Sequence, residues 1–213
     1  MENIKLFCVS LGCDKNLVDT EKMLGLLNGQ GIIFTDDETE ADVILINTCC
    51  FIGDAKEESV NTILEMARYK EEGNLKALLV AGCLAQRYKQ EILDEIPEVD
   101  AILGTTSYEE VATVLEQVLM GSSGIHLSCF RDLSQLPQVE ARRVVTTGGH
   151  YAFLKIAEGC DKRCTYCIIP YLRGPYRSVP IEQLVAEAGQ LAEAGVKELI
   201  LVAQETTLYG KDL

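Results

Sequence analysis

The stretch "ADVILINT" at residues 41–48 carries Val43, Ile44, Leu45 and Ile46 in a row, with no polar alternation. A strand with one wet face would alternate, so this run reads as a strand buried on both faces. "KALLVAG" at 76–82 repeats the pattern, and "IKLFCVS" at 4–10 and "DAIL" at 100–103 are shorter runs of the same kind. Between them apolar residues return at helical spacing. Leu17, Met23, Leu24 and Leu27 do so within 16–28, and Val60, Ile63, Leu64 and Ala67 within 54–72. Further helices are expected at 84–96, ended by Pro97, and at 107–120. Strands without alternation separated by amphipathic helices predict an α/β fold, a mostly parallel Rossmann-like sheet covered on both faces.

The rhythm stops after residue 121, where "GSSG" opens a segment of short pieces with Gly and Pro. The expected organisation is a first domain at 1–122, a linker or β-hairpin at 123–148, and a second domain at 149–213. The second domain reads as strand 151–157, a loop, helix 181–195 and strand 196–204. Its helix starts at Pro180, presents Ile181, Leu184, Val185, Ala188, Leu191 and Ala192 on one face, and stops at Gly195.

The 213 residues are 47% hydrophobic, enough for a packed core. No apolar run is long enough to span a bilayer, and the first residues lack the basic-then-apolar pattern of an export signal. The expectation is a cytoplasmic protein. Net charge is −14, and residues 1–148, with 12 basic and 25 acidic groups, hold nearly all of it. Such a surface repels phosphate backbones and attracts basic partners, which makes nucleic acid the less favoured ligand.

Nine cysteines in a reducing compartment point to metal or redox chemistry rather than disulfides. Cys160, Cys164 and Cys167 share one loop, "EGCDKRCTYCIIP" (158–170), at C-x3-C-x2-C spacing. Structural zinc wants four protein ligands, and only His150 and Cys129 are near in sequence. A ferredoxin site wants a fourth cysteine followed by proline, where Ile168 and Ile169 stand here. Three thiolates can instead hold three corners of an iron–sulfur cube and leave one iron open. A second set is dispersed: Cys13, Cys49 and Cys83 each follow the carboxyl end of an expected parallel strand, the edge where such sheets bind ligands. Gly12 and Gly82 beside them allow close backbone approach. Cys8, Cys50 and Cys129 read as small buried hydrophobes.

The loop, with Tyr166 just before its last cysteine, resembles the signature of the radical S-adenosylmethionine superfamily. The resemblance implies that Cys160, Cys164 and Cys167 bind a 4Fe-4S cluster whose open iron takes S-adenosylmethionine. Tyr166 would then lie against the adenine, and reductive cleavage would give a 5′-deoxyadenosyl radical. With "VSLGCDKNLVDTEKMLG", "NTCCFIGDAKEES" and "AQETTLYG" added, the chain resembles the methylthiotransferase family within that superfamily, from residue 4 onward. That likeness implies a second 4Fe-4S cluster on Cys13, Cys49 and Cys83, and a second domain that begins a βα barrel. It favours the branch that methylthiolates the β-carbon of an aspartate in ribosomal protein uS12. The transfer-RNA branch tends to carry Gln-Met after its first cysteine, where Asp14 and Lys15 stand here.

An electron donor and a sulfur source are implied as partners, no general base is expected, and the chain reads as carboxyl-terminally truncated. A non-catalytic iron–sulfur or zinc module and a flavodoxin-like domain with incidental cysteines are the alternatives. Lys162, Arg163, Arg173 and Arg177 read as a solvated loop, as partners for acid groups of cofactor or substrate, or, with Tyr171 and Tyr176, as a grip on RNA.

Overall fold

The computed structural model describes residues 3–121, 126–139 and 142–213. Six strands form one sheet, all neighbours parallel: β1 (Ile4–Ser10), β2 (Ile32–Phe34), β3 (Val43–Thr48), β4 (Ala77–Gly82), β5 (Ala101–Leu103) and β6 (Leu127–Cys129). Their order is β2-β1-β3-β4-β5-β6. Helix α1 (Asp14–Leu27) follows β1; α2 (Gly53–Ala67) and α3 (Tyr69–Glu72) follow β3; α4 (Cys83–Tyr88) and α5 (Gln90–Glu95) follow β4; α6 (Val111–Met120) follows β5.

Every residue of β3 and β4 is buried, as their unalternating sequence requires. Ile44, Ile46, Leu78 and Val80 pack with Ile63 of α2 and Leu84 of α4. Val43, Leu45, Leu79 and Ala81 point the other way, onto Met23 and Leu27 of α1 and Val114 and Leu115 of α6. The chain therefore leaves β1 toward one side for β2 and toward the other for β3, and the strand order reverses between β1 and β3.

The second part is smaller. Strands β7 (Tyr151–Lys155) and β10 (Glu198–Val202) pair in parallel, joined through α8 (Ile181–Glu193). Between β7 and α8 lie β8 (Ala157–Glu158), α7 (Ile169–Arg173) and β9 (Arg177–Ser178), with β8 and β9 antiparallel. This is the expected strand–loop–helix–strand order. Among the described residues no helix is long and apolar enough to cross a membrane.

Several local expectations change. The segment expected as a linker or hairpin holds β6, which adds to the sheet edge parallel to β5; the expected boundary at 122 and 123 lies outside the described residues. The helix expected at 84–96 breaks at Lys89, whose backbone leaves the helical region at φ 46°. Spacing does not register this break, because Leu84 and Ile92 reach the same core either way. On α2 the inward residues are Ser59, Ile63, Met66 and Ala67, while Leu64 faces solvent. On α8 only Leu184 and Leu191 are buried; Ile181, Val185 and Ala192 are exposed, since α8 covers a sheet of two strands.

Truncation of Leu45, at the centre of the sheet, is expected to cost about 2–5 kcal/mol as Leu45→Ala, whereas Val185→Thr on the open face of α8 should stay within about 1 kcal/mol. Thermal or denaturant unfolding of the two variants beside the parent checks both.

Candidate functional site

The carboxyl ends of β1, β3 and β4 lie side by side, with Ser10 paired to Asn47 and Thr48 to Gly82. Each strand is followed within three residues by a cysteine. Cys13 caps the start of α1, Cys49 follows β3, and Cys83 opens α4. These positions flank the point where strand order reverses, the crevice in which open parallel sheets bind ligands. Gly12 adopts φ 96°, and a Cβ there would stand 2.6 Å from Cys49 Cβ and 2.9 Å from its Sγ. Gly82, at φ 92°, would drive a Cβ to 2.2 Å from Asn47 Oδ1. Only glycine lets these loops close on one another.

Amide side chains fix the crevice. Asn16 Nδ2 donates to the carbonyls of Leu11 (2.9 Å) and Thr48 (3.0 Å), tying the β1 loop to the end of β3. Cys83 Sγ points at Asn16 Oδ1 at 3.8 Å. Asn47 Nδ2 donates to Asn16 O (2.8 Å) and to Thr20 Oγ1 (2.9 Å). Ser59 Oγ accepts from the Cys49 amide and donates to the Cys49 carbonyl. Cys13 is exposed, while Cys49 and Cys83 are buried. Burial pushes the Cys83 thiol up to about 12, with the Arg173 guanidinium beside it pulling the other way. Cys50 is buried next to this set and donates to the Cys83 carbonyl at 3.2 Å; Cys8, on β1, is also pushed up to about 12 by burial.

The second cysteine loop runs between β8 and α7. Cys160 is buried and its amide donates to Gly174 O at 3.1 Å; the Cys167 amide donates back to Cys164 O at 3.0 Å. Cys164 is exposed, Cys167 half-buried, and the Tyr166 ring is 87% exposed. Lys162 pairs with Glu205, whose carboxyl is held down at about 2 chiefly by that hydrogen bond.

All nine thiols are free. Among the described residues no three Cys, His, Asp or Glu side chains meet closely enough to chelate one ion. An iron–sulfur cluster makes a different demand: it offers each thiolate its own iron, so its ligands surround it instead of meeting at a point. Two sets of three unpaired thiols, each on glycine-opened or irregular backbone, suit that demand.

The basic residues of the second part are not a solvated loop throughout. Arg173 is 2% exposed, and Arg177 and Tyr176 are buried, so they are not available to grip RNA. Arg173 Nη1 donates to Asp19 Oδ2 (2.7 Å) and Glu158 Oε2 (3.0 Å), and its Nη2 donates to Asn16 Oδ1. Lys155 donates to Asp19 and, at 2.8 Å, to Glu158 Oε2; Gln204 Nε2 reaches Glu158 Oε1 at 3.1 Å. Burial alone would raise the Glu158 pKa, but Arg173 and Lys155 outweigh it and hold the carboxyl well below its usual range. Burial likewise opposes charge on Lys155, and Asp19 and Glu158 overcome it.

Asn16, Asp19, Lys155 and Glu158 were not among the residues singled out from sequence. One signal was present: Asp19 lies at helical spacing from Met23 and Leu27, on the stripe that faces inward. A cleft of about 430 Å³ borders this network, lined by Lys22, Tyr108, Arg143, Lys155, Glu158 and Glu187 among others, but none of the six candidate cysteines lines it.

In the metal-free folded chain, Cys13 and Cys164 are expected to alkylate first and Cys50 and Cys83 last, as read by peptide mass mapping over time. Labelling of Cys83 as fast as Cys164 would contradict the burial described. Gly82→Ala should cost at least about 1–3 kcal/mol in thermal unfolding, from backbone strain before any clash with Asn47 is counted.

Residues 5–104 match the family described as "Uncharacterized protein family UPF0004", and residues 154–213 match the "Radical SAM superfamily". The chain is 65% identical over 210 residues to a protein of Lachnoclostridium phytofermentans named "Ribosomal protein uS12 methylthiotransferase RimO", covering 99% of this chain and 47% of that one. Proteins of the same name from Acetivibrio thermocellus and Clostridioides difficile are 53% and 50% identical, over 98% and 99% of this chain and 47% of each relative. The chain thus spans about half the length of the relatives it matches. With both domain signatures in their order and this identity along its whole length, the chain belongs to the radical S-adenosylmethionine methylthiotransferase family.

Proposed function

We propose that the whole protein is an enzyme that adds a methylthio group to the β-carbon of an aspartate in ribosomal protein uS12, the substrate named for its relatives. The observation that carries this reading is the pair of three-cysteine sets, one at the switch point of the parallel sheet and one on the loop after β8. When bound, a 4Fe-4S cluster with S-adenosylmethionine supplies a carbon-centred radical able to take a hydrogen atom from an unactivated C–H bond, which no side chain can do by proton transfer.

Each set has a distinct duty. Cys160, Cys164 and Cys167 would hold the cluster that binds S-adenosylmethionine. Tyr166, with its ring exposed, would be free to lie against the adenine. Cys13, Cys49 and Cys83 would hold a second 4Fe-4S cluster, on the side where sulfur is supplied. Asn16, Asn47 and Ser59 keep that second set in place through the hydrogen bonds already described. An electron donor and a sulfur source complete the system, in the cytoplasm. The acidic first domain suits a basic ribosomal protein, and Arg177 and Tyr176, being buried, add nothing to a surface for transfer RNA.

Anaerobic reconstitution of the full-length protein should give about eight irons per chain, falling to about four when Cys160, Cys164 and Cys167 are replaced, and also to about four when Cys13, Cys49 and Cys83 are replaced. With S-adenosylmethionine, reductant and sulfide, uS12 should gain one methylthio group on a single aspartate, read by peptide mass spectrometry. A folded parent protein that takes up no iron, or that modifies transfer RNA and leaves uS12 untouched, would overturn the reading.

A further inference from the structure

We infer that Arg173 is a positioning residue that sets how the two cysteine sets stand relative to each other. The inference rests on the two-cluster reading above. Arg173 is the last residue of α7, six positions after Cys167. Its guanidinium leaves the second part and ends inside the first. There it shares Asn16 Oδ1 with Cys83 Sγ and bonds Asp19 on α1, the helix that Cys13 caps. On its own side it holds Glu158, two residues before Cys160. One side chain therefore touches the supports of Cys13 and Cys83 and of both flanks of the 160–167 loop. The neighbouring residue reinforces it: the Leu172 carbonyl accepts from Thr105 Oγ1 at 2.6 Å, and the Leu172 side chain packs in the same core cluster as Cys83 and Leu84.

Charge alone does not explain the choice of arginine. Asp19 and Glu158 are balanced by Lys155 and Arg173, and a second lysine would keep that balance. Only a planar fork reaches Asn16 in one direction and two carboxylates in another. Chemistry that joins two centres depends steeply on their relative placement, so the fork matters to transfer more than to folding.

The test uses the full-length reconstituted protein and its Arg173→Lys variant. Iron per chain and unfolding temperature report the structural role. Magnetic interaction between the two reduced clusters, read by electron paramagnetic resonance, reports their placement. The ratio of methylthio transfer to S-adenosylmethionine cleaved reports coupling. The variant is expected to keep its iron and to cleave S-adenosylmethionine, with a changed interaction spectrum and a transfer ratio lower by roughly tenfold to a hundredfold.

An iron-replete, folded Arg173→Lys variant with the parent's spectrum and ratio would overturn the inference and leave the two-cluster reading standing. A parent protein with a single cluster would overturn both. If Arg173→Lys does not fold, Asp19→Glu, which keeps the charge and moves the carboxylate, is read on the same two signals, and parent-like values there overturn the inference.

Discussion

Two carboxylates and two cations, Asp19, Glu158, Lys155 and Arg173, meet where the first part of the chain packs on the second, and each is at most 5% exposed. Burying four charges is costly, and an apolar patch of the same volume would hold two surfaces together at least as well. Their arrangement does what an apolar patch cannot. A greasy contact tolerates sliding, whereas Arg173 finds its partners only at one offset between α1 and α7. Removing any one member leaves a buried charge unpaired, a loss of about 3–5 kcal/mol. A second brace runs alongside, with Arg143 between Glu21 and Glu187, and Lys22 also on Glu187.

This constraint explains why α1 looks wrong for a surface helix. Asn16, Asp19, Thr20 and Glu21 are all buried, although a helix of an isolated parallel sheet would turn such residues to water. They are buried because β7, the segment leading into it and α7 lie over them, and each finds a partner there or at the ends of β1 and β3: Thr20 with Ser10 and Asn47, Glu21 with Thr146, Asp19 with the two cations. The same helix begins at Cys13. Its inner stripe builds the core, its polar face docks the second part, and its first residue faces the crevice. Sheet topology does the rest. Because β1, β3 and β4 are neighbours although they are far apart in sequence, three thiols up to 70 positions apart end on one edge.

The sequence by itself determined the layers and the thiols. Runs such as 43–46 have no polar side to offer water, so they had to be central strands, and strands separated by amphipathic helices had to be parallel. The six candidate cysteines were also legible, three from spacing on one loop and three from their repeated place after a strand. What was not legible depends on contacts between distant residues. That 127–129 completes the sheet follows from an open edge on β5, which local pattern does not record. That Leu64, Ile181 and Val185 face water follows from how little lies over them. That Arg173 and Arg177 are interior follows from the docking of the second part on α1, because an arginine beside a short polar loop reads as solvated until its carboxylates are known. Local hydrophobicity chose the elements, and only the tertiary structure, by bringing Asp19 to Arg173 across 154 positions of chain, decided how the two cysteine sets are joined.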